Sequence, residues 1–320
     1  MRKALNKDEN ALFYGPVFSR RFGFSLGIDI IPYKVCNYDC IYCALGRAGI
    51  KTVERKSYKQ IDLDNFSKNL KMVIGKSERI DYITFSGSGE PTLNRDLGSL
   101  VDVAKSVSNI PVLILTNGSL LYRDDVIRDI STADAIKVSL DACDDEVLKK
   151  INRPDSCLIF DDIYEGIFNL AKNYTGNIFL EIMLIKGIND AVEQAEMYKN
   201  IISEFEKVRA LDKIHLNIPS RPPAEQQVCK PSSERLLEIK RVLGRKAEIV
   251  KERKVASYKT RDSNMEAEIT ALVKRRPANI RDVSASFGIS ANEALKILNN
   301  LKSDKIIKGK FFNGKYYYYV

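Results

Sequence analysis

Three of the six cysteines in the chain fall within eight residues, at Cys36, Cys40 and Cys43. Thiolates this close together on one loop can turn toward a common point, which is what a cubane iron–sulfur cluster requires. Such clusters usually take four thiolates, so a loop that offers three leaves one iron open to an outside ligand. A zinc site completed by a distant residue is the alternative. Zinc sites usually bring their ligands as two close pairs, however, and the sequence has no second pair.

The remaining cysteines, Cys143, Cys157 and Cys229, are isolated in the sequence. We predict that each is a small packing residue, and a second cluster built from them stays open. The one histidine, His215, lies between apolar residues, and we predict a structural role for it. A single imidazole argues against histidine-rich zinc sites and against Ser–His or Cys–His nucleophilic catalysis.

Short apolar runs alternate with amphipathic stretches over the first 250 residues, a pattern typical of a parallel α/β fold. The predicted strands cover residues 25–29, 82–85, 111–116, 135–139, 178–184 and 214–218. Predicted helices include residues 63–73, 162–173 and 190–205.

Residues suited to chemistry follow these strands one after another. The cysteine loop follows the first strand, and the Gly- and Ser-rich segment 86–92 with Glu90 follows the second. Asn117 follows the third strand, and Asp141 follows the fourth. Because parallel strands end at one edge of a sheet, we expect one site there.

The Cys-x-x-x-Cys-x-x-Cys loop, with Tyr42 before its last cysteine, resembles the signature of the radical S-adenosylmethionine superfamily. That resemblance implies a partial (β/α)6 barrel and a [4Fe-4S] cluster whose open iron chelates S-adenosylmethionine. It also implies reductive cleavage of the cofactor to a 5′-deoxyadenosyl radical that abstracts hydrogen from a substrate. The electron would come from an external donor of the ferredoxin or flavodoxin type.

The segment 86–92 resembles the Gly-Gly-Glu motif of the same superfamily, with Ser88 in place of the first glycine. The metal ligands expected from the resemblance are Cys36, Cys40 and Cys43. The cofactor-binding candidates are Tyr42, Ser88, Gly89, Glu90, Asn117, Ser139, Asp141, Arg153 and Asn189. For each candidate taken singly, a capping or turn role is the alternative.

Residues 13–29, 85–94 and 217–223 resemble a branch of the superfamily related to the wybutosine-synthesis enzyme, which builds a tricyclic base on tRNA using pyruvate. The likeness spans roughly residues 13–245. Two features depart from that enzyme. No cysteine precedes Cys36, where the relative holds a second cluster, and no lysine can be assigned to its Schiff base with pyruvate.

The net charge of +9 is confined to the end of the chain. Residues 1–244 carry 34 basic and 34 acidic side chains, and residues 245–320 carry 17 and 8. A neutral body with a basic end indicates a polyanion as partner, with nucleic acid the usual one. We therefore divide the chain into a barrel at 1–250, a basic linker at 251–264 and a C-terminal module at 265–320.

The C-terminal module resembles a winged helix-turn-helix domain. Helices are predicted at residues 265–274, 280–287 and 291–301, with Ser290 capping the third. Asn313-Gly314 between residues 306–312 and 315–320 predicts a hairpin. Winged helices bind nucleic acid or dock proteins, and both roles stay open here.

Three functions follow from these features. The first is a radical S-adenosylmethionine enzyme acting on RNA or tRNA delivered by the basic module. The second is the same chemistry on a small molecule or a protein, with the module as a docking part. The third is a DNA-binding iron–sulfur redox sensor. No apolar run approaches the ~20 residues that span a bilayer and no secretory signal is visible, so we expect a cytoplasmic protein without a membrane partner.

Overall fold

An eight-stranded sheet is the centre of the computed structural model, which describes residues 12–250 and 265–320. The strands are β1 (Phe13–Ser19), β2 (Gly23–Ile28), β3 (Val35–Cys36), β4 (Ile50–Lys51), β5 (Tyr82–Phe85), β6 (Val112–Thr116), β7 (Ala135–Ser139), β8 (Asn177–Met183), β9 (Lys213–Asn217), β10 (Ala247–Ile249), β11 (Lys308–Phe312) and β12 (Lys315–Tyr319). The large sheet has the order β1-β2-β5-β6-β7-β8-β9-β10. All neighbours in it are parallel except β1, which runs antiparallel to β2.

Helices connect the parallel strands and cover one face of the sheet. They are α1 (Leu63–Lys76), α2 (Leu97–Val107), α3 (Asp124–Ile130), α4 (Asp145–Ile151), α5 (Phe160–Asn173), α6 (Val192–Val208) and α7 (Ser233–Leu243). Three further helices follow the large sheet in the C-terminal module: α8 (Met265–Arg275), α9 (Ile280–Phe287) and α10 (Ala291–Ser303). All six predicted strands and all three predicted helices of the barrel are present, with ends that differ by three residues at most. The sheet also has two edge strands that were not predicted, β1 and β10.

The two faces of the sheet differ in chemistry because successive side chains of a strand point in opposite directions. Residues such as Ile83, Ile136 and Leu180 join the large apolar core with the helices. The opposite face, which we call the polar face, carries Ser25, Thr84, Lys137, Glu181, His215 and Asn217. Glu181 accepts hydrogen bonds there from Lys137 at 3.0 Å and Asn217 at 3.3 Å, and it pairs with Arg21.

The C-terminal module has an apolar core of its own, built from α8–α10 and the hairpin β11–β12. Ser290 caps α10 as predicted, because its hydroxyl oxygen accepts from the backbone N–H of Glu293 at 3.1 Å. Asn313 and Gly314 both have positive φ, as the predicted two-residue hairpin turn requires. The linker predicted at 251–264 lies outside the described residues.

The module packs against the first hairpin of the barrel. Val17 of β1 is part of the module's apolar core. Arg275 donates to Asp29 at 3.0 Å, and Tyr317 donates to the carbonyl of Ser220 at 2.8 Å. These contacts hold α8 and β12 over the polar face of the sheet. None of the helices in the described ranges is long and apolar enough to cross a bilayer.

Candidate functional site

Cys36 ends β3, and Cys40 and Cys43 lie on the loop between β3 and β4, two strands that pair as a short parallel ladder. The backbone N–H of Cys43 donates to the carbonyl of Cys40 at 3.0 Å, so the last two cysteines share one turn. Each of the three side chains is partly exposed. The loop therefore presents three thiols from one compact segment, at the edge where the strands end.

Neighbouring amides contact two of these thiols. The side-chain amide of Asn117 lies 3.7 Å from Sγ of Cys36, and that of Asn152 lies 3.4 Å from Sγ of Cys40. Such donors favour a sulfur that carries negative charge, as a cluster ligand does. Burial, and then Glu90 and Cys43, raise the pKa of Cys36 to about 12, although backbone N–H donors oppose the shift. Burial, and then Cys36 and Asp141, raise the pKa of Cys40.

The donor chemistry of this loop fits an iron–sulfur cluster, because one short segment carries three thiols and amide N–H donors contact two of them. Within residues 12–250 and 265–320, no three Cys, His, Asp or Glu side chains already converge as a closed metal-binding group. A cluster would hold the cysteines as thiolates, since metal binding removes their protons.

The Gly- and Ser-rich segment packs directly on the cysteine loop. A Cβ on Gly89 would stand 1.8 Å from the carbonyl oxygen of Val35, so only glycine fits there. The backbone N–H of Lys34 donates to the carbonyl of Ser88 at 2.7 Å. Ser88 in turn donates to Asp29 at 2.8 Å. The segment thus holds the cysteine loop in place, which explains the Ser–Gly sequence in structural terms.

Glu90 is buried, and protein donors already surround its carboxylate. Oε1 accepts from the hydroxyls of Thr92 and Thr116 at 2.7 Å each, and Oε2 accepts from the backbone N–H of Asn117 at 2.8 Å. The same side chain caps the 3-10 turn Pro91–Leu93. Burial raises the pKa of Glu90 although these hydrogen bonds oppose the shift. A carboxylate oxygen has two acceptor positions, so one position of Oε2 stays available after the bond from Asn117.

Asp141 is the centre of a second buried group of side chains. It accepts from the hydroxyl of Tyr42 at 2.5 Å and from the amide of Asn152 at 2.9 Å. Asn152 also contacts Cys40, so Asp141 connects the fourth strand end to the cysteine loop. Asn117, Ser139 and Asp141 line a cavity of about 10 Å³, which shows how closely these strand ends approach.

Two of the candidates have other partners. The Asn189 amide is 1% exposed and donates to the carbonyls of Asp141 and Met183, both at 2.9 Å. Asn189 thus supports the loop that carries Asp141 and does not face open space. The Arg153 guanidinium donates one hydrogen bond to Glu225 at 2.7 Å, so part of its donor set already serves a carboxylate of the chain.

Several residues of the site were missed from the sequence. Asp29 joins Ser88 to Arg275, and it fills the space where a Cβ on Gly87 would lie. Asn37 is fully buried and accepts from the amide of Asn117 at 2.6 Å. Two signals were available in the sequence. Asp29 comes directly after a buried strand, and Asn37 comes directly after the first cysteine of the cluster.

The isolated cysteines divide into two kinds. Cys143 is buried in the apolar core, as predicted for a packing residue. Cys157 and Cys229 are exposed, so the packing prediction is wrong for them, because both lie on loops outside the core. His215 lies in β9 beside two phenylalanine rings, in keeping with a structural role, although its Nδ1 finds no partner among the described residues.

A family model described as "Radical SAM superfamily" matches residues 30–198, which is more than half of the chain. The chain belongs to the radical SAM superfamily. Its members use S-adenosylmethionine and typically a [4Fe-4S] cluster.

Relatives of similar length carry no activity in their names. The UPF0026 protein of Methanocaldococcus jannaschii is 34% identical over 317 residues, which are 95% of this chain and 94% of that protein. A protein named GTPase Obg from Brachyspira hyodysenteriae is 32% identical over 321 residues. That match covers 99% of this chain, but the chain spans only 46% of that protein.

A solved structure confirms the predicted fold class. The crystal structure of a radical SAM methyltransferase from Sphaerobacter thermophilus superposes with a TM-score of 0.52 at 17% identity, covering 70% of this chain and 65% of that one. At this identity the likeness concerns the fold. The α/β architecture with a parallel sheet is that of a partial TIM-type barrel, as the sequence predicted.

Proposed function

We propose that this protein is a radical S-adenosylmethionine enzyme that abstracts hydrogen from an RNA-borne base. The observation that carries the proposal is the loop with Cys36, Cys40 and Cys43, placed at the strand ends beside Glu90 and Asp141. The cluster and S-adenosylmethionine, when bound, supply an electron and a 5′-deoxyadenosyl radical.

The chain's own residues would place and shield these groups. Cys36, Cys40 and Cys43 would hold the cluster as thiolates, with Asn117 and Asn152 donating toward two of the sulfurs. Glu90 offers one free acceptor position to an ammonium group. Gly89 keeps the loop close enough for that contact. The other candidates, including Ser139 and Tyr42, would shape the surrounding wall.

Two features support RNA as the substrate. The hairpin region of the C-terminal module presents four exposed lysines, Lys302, Lys305, Lys308 and Lys310, which suit phosphates. The resemblance of residues 13–29, 85–94 and 217–223 to the wybutosine-synthesis branch also favours a tRNA base. The missing upstream cysteines argue against that enzyme's own reaction with pyruvate.

The winged-helix interpretation of the C-terminal module belongs to this proposal. Three helices and a hairpin match it in order, and Tyr317 and Tyr318 are buried, so they serve packing and are not free to stack on bases. The basic surface is then the part of the module that would contact RNA. An external ferredoxin- or flavodoxin-type protein would supply the electron.

Cys40→Ala tests the cluster assignment. We expect anaerobic reconstitution of this variant to give little bound iron and no 5′-deoxyadenosine with dithionite and S-adenosylmethionine. Cys229→Ala removes an exposed cysteine outside the loop and should behave as the wild type. A full cubane spectrum in Cys40→Ala, or wild-type protein that binds iron but never cleaves S-adenosylmethionine, would reject the proposal. The second result would favour a redox sensor.

The RNA assignment has its own test. Changing Lys302, Lys305, Lys308 and Lys310 to Gln should weaken binding of unfractionated tRNA and flatten its dependence on salt. A control that changes Lys149, Lys150, Lys199 and Lys207, which are exposed on the barrel, removes the same charge. Equal tRNA binding by the two variants would favour a small-molecule or protein substrate.

A further inference from the structure

A cavity of about 900 Å³ separates the barrel from the C-terminal module. One wall is the hairpin β1–β2 with the polar face of the sheet, represented by Ser25 and Thr84. The other wall comes from the end of α8, from α9 and from β12. A ligand pocket commonly holds 300–1,000 Å³, so this space is large enough for one nucleotide.

The described residues that line the cavity are strongly basic. Their cationic side chains are Arg20, Arg21, Arg221, Arg275, Arg276, Arg281 and Lys315. Asp282 is the one acidic side chain among them, and it already accepts from the backbone N–H of Asn279 in the capping box of α9. Glu181 and Asp29, which do not line the cavity, form ion pairs with Arg21 and Arg275, respectively. The described wall therefore carries much more positive than negative charge.

These cations repel one another in a partly dry space. Burial, followed by Arg20 and Arg221, lowers the pKa of Arg21 to about 9. Burial, followed by Arg221, lowers the pKa of Arg276 to about 10, although Asp282 opposes the shift. Keeping like charges together at low hydration costs free energy, which a bound anion would recover.

Two buried polar groups on this wall, Nε of Arg276 and the hydroxyl of Ser286, have no hydrogen-bond partner among residues 12–250 and 265–320. Ser286 is 1% exposed. Both residues line the cavity. Buried polar groups are nearly always paired in folded proteins, so unpaired donors beside a basic cavity indicate that an acceptor is missing.

The cavity reaches the candidate site. Ser86 and Gly87 of the Gly- and Ser-rich segment form part of its lining. Asp29, which binds Ser88, also binds Arg275 of the cavity wall. A ligand in the cavity would thus lie against the segment that leads to Glu90.

We propose that this cavity binds the phosphate of a nucleotide and so holds the substrate against the candidate site. Guanidinium groups bind phosphate oxygens through paired hydrogen bonds, and the several acceptor oxygens of one phosphate can satisfy more than one arginine. The nucleotide is either a residue of RNA or a free molecule. The role as substrate site rests on the proposed function, whereas the phosphate binding does not.

Arg276→Gln and Arg281→Gln, made in the full-length reconstituted protein, test the proposal. Adenosine monophosphate and inorganic pyrophosphate serve as small probes, and unfractionated tRNA serves as the polymer. Isothermal titration should show which probes the wild type binds. For such a probe each substitution should lower the affinity by about tenfold or more, since each removes a charged hydrogen bond. Arg128→Gln, an exposed arginine of α3 outside the cavity, should leave every affinity unchanged.

Ser286→Ala provides a second measurement that does not remove charge. It should weaken binding of the same probe several-fold. The unliganded protein should unfold at the same or a higher temperature, because the lost hydroxyl had no partner in the described part of the chain. Arg276-dependent binding of the small probes identifies a free nucleotide. Arg276-dependent binding of tRNA alone identifies RNA.

The proposal fails if no probe binds, or if Arg276→Gln and Arg281→Gln bind all probes as the wild type does. Cleavage of S-adenosylmethionine is measured in the same preparations. Arginine-dependent phosphate binding without that cleavage would reject the proposed function and keep the cavity assignment. Cleavage of S-adenosylmethionine together with phosphate binding that the arginine substitutions leave unchanged would keep the proposed function and reject the cavity assignment.

Discussion

His215 shows how a single side chain on the polar face sets a pH dependence. Its ring stacks on Phe179 at 5.6 Å and meets the edge of Phe22 at 5.6 Å. Burial, and then Arg21, lower its pKa from 6.5 to about 4, and Lys137 and Lys213 act in the same direction against Glu248. The folded protein therefore keeps His215 neutral where an unfolded chain would protonate it.

The contribution of His215 to the stability of the protein should consequently fall between pH 6.5 and pH 4. In that window the unfolded state binds the proton more tightly, so acidification favours unfolding, by on the order of 3 kcal/mol at pH 4. Above pH 6.5 the group contributes no pH dependence. Urea unfolding from pH 4 to pH 7.5 should show this component in the wild type and lack it in His215→Gln. Parallel curves for the two proteins would contradict the assignment.

At the scale of residues, sequence reasoning identifies what is encoded locally. Cys36, Cys40 and Cys43 are recognisable because their spacing alone restricts the chemistry. The pairing of Arg153 with Glu225 is not recognisable, because the partners are 72 positions apart and meet only after folding. Asp29 was missed for the same reason, since its partners Ser88 and Arg275 come from distant parts of the chain.

At the scale of elements, the contact between the Gly- and Ser-rich segment and the cysteine loop depends on one glycine. A methyl group on Gly89 would overlap the carbonyl oxygen of Val35, which is backbone and cannot rotate away. The Gly- and Ser-rich segment and the cysteine loop would have to separate. The proposed function requires the two to stay in contact.

Gly89→Ala should therefore destabilise the protein by about 2 kcal/mol or more and lower its iron content after reconstitution. Gly75→Ala is a matched control, because a methyl group there meets nothing within 4 Å. Gly75 lies in α1, so its replacement should leave stability unchanged or raise it by up to about 1 kcal/mol. Thermal unfolding and iron analysis of both variants decide the matter, and equal behaviour would show that the loops tolerate separation.

The elements themselves were largely predictable. In β7 the apolar residues Ile136 and Val138 alternate with Lys137 and Ser139, which is the period-two pattern of a strand with one apolar face. The edge strands were missed for physical reasons. β1 contains Gly15 and Pro16, which read as a turn, and β10 has three residues, too few for a periodic pattern.

At the scale of the whole molecule, the barrel and the C-terminal module are joined by a buried ion pair. Asp29 follows β2 and Arg275 ends α8, and both side chains are less than 10% exposed. Replacing Arg275 leaves Asp29 with Lys59, whose Nζ lies 4.0 Å from Oδ1, as its counter-charge. Breaking a buried pair is expensive in a dry environment.

Arg275→Gln should accordingly destabilise the protein by about 3 kcal/mol. Arg79→Gln breaks the exposed pair with Asp81 and should change stability by less than about 1 kcal/mol. Denaturant unfolding of these variants, with Asp29→Asn and the double variant, gives the coupling energy between the two parts. Additive effects of Arg275→Gln and Asp29→Asn would show that the two parts are held together by other contacts.

One oxygen of Asp29 has two donors, because the hydroxyl of Ser88 and the guanidinium of Arg275 both donate to it. A ligand that moves the guanidinium of Arg275 changes the strength of the hydrogen bond from Ser88 to Asp29. A ligand that moves Ser88 changes the strength of the ion pair between Arg275 and Asp29. Linkage requires these two influences to be equal in free energy. Ligand binding in the cavity and the arrangement of the cysteine loop are therefore coupled through the carboxylate of Asp29. A change in the free energy of one changes the free energy of the other.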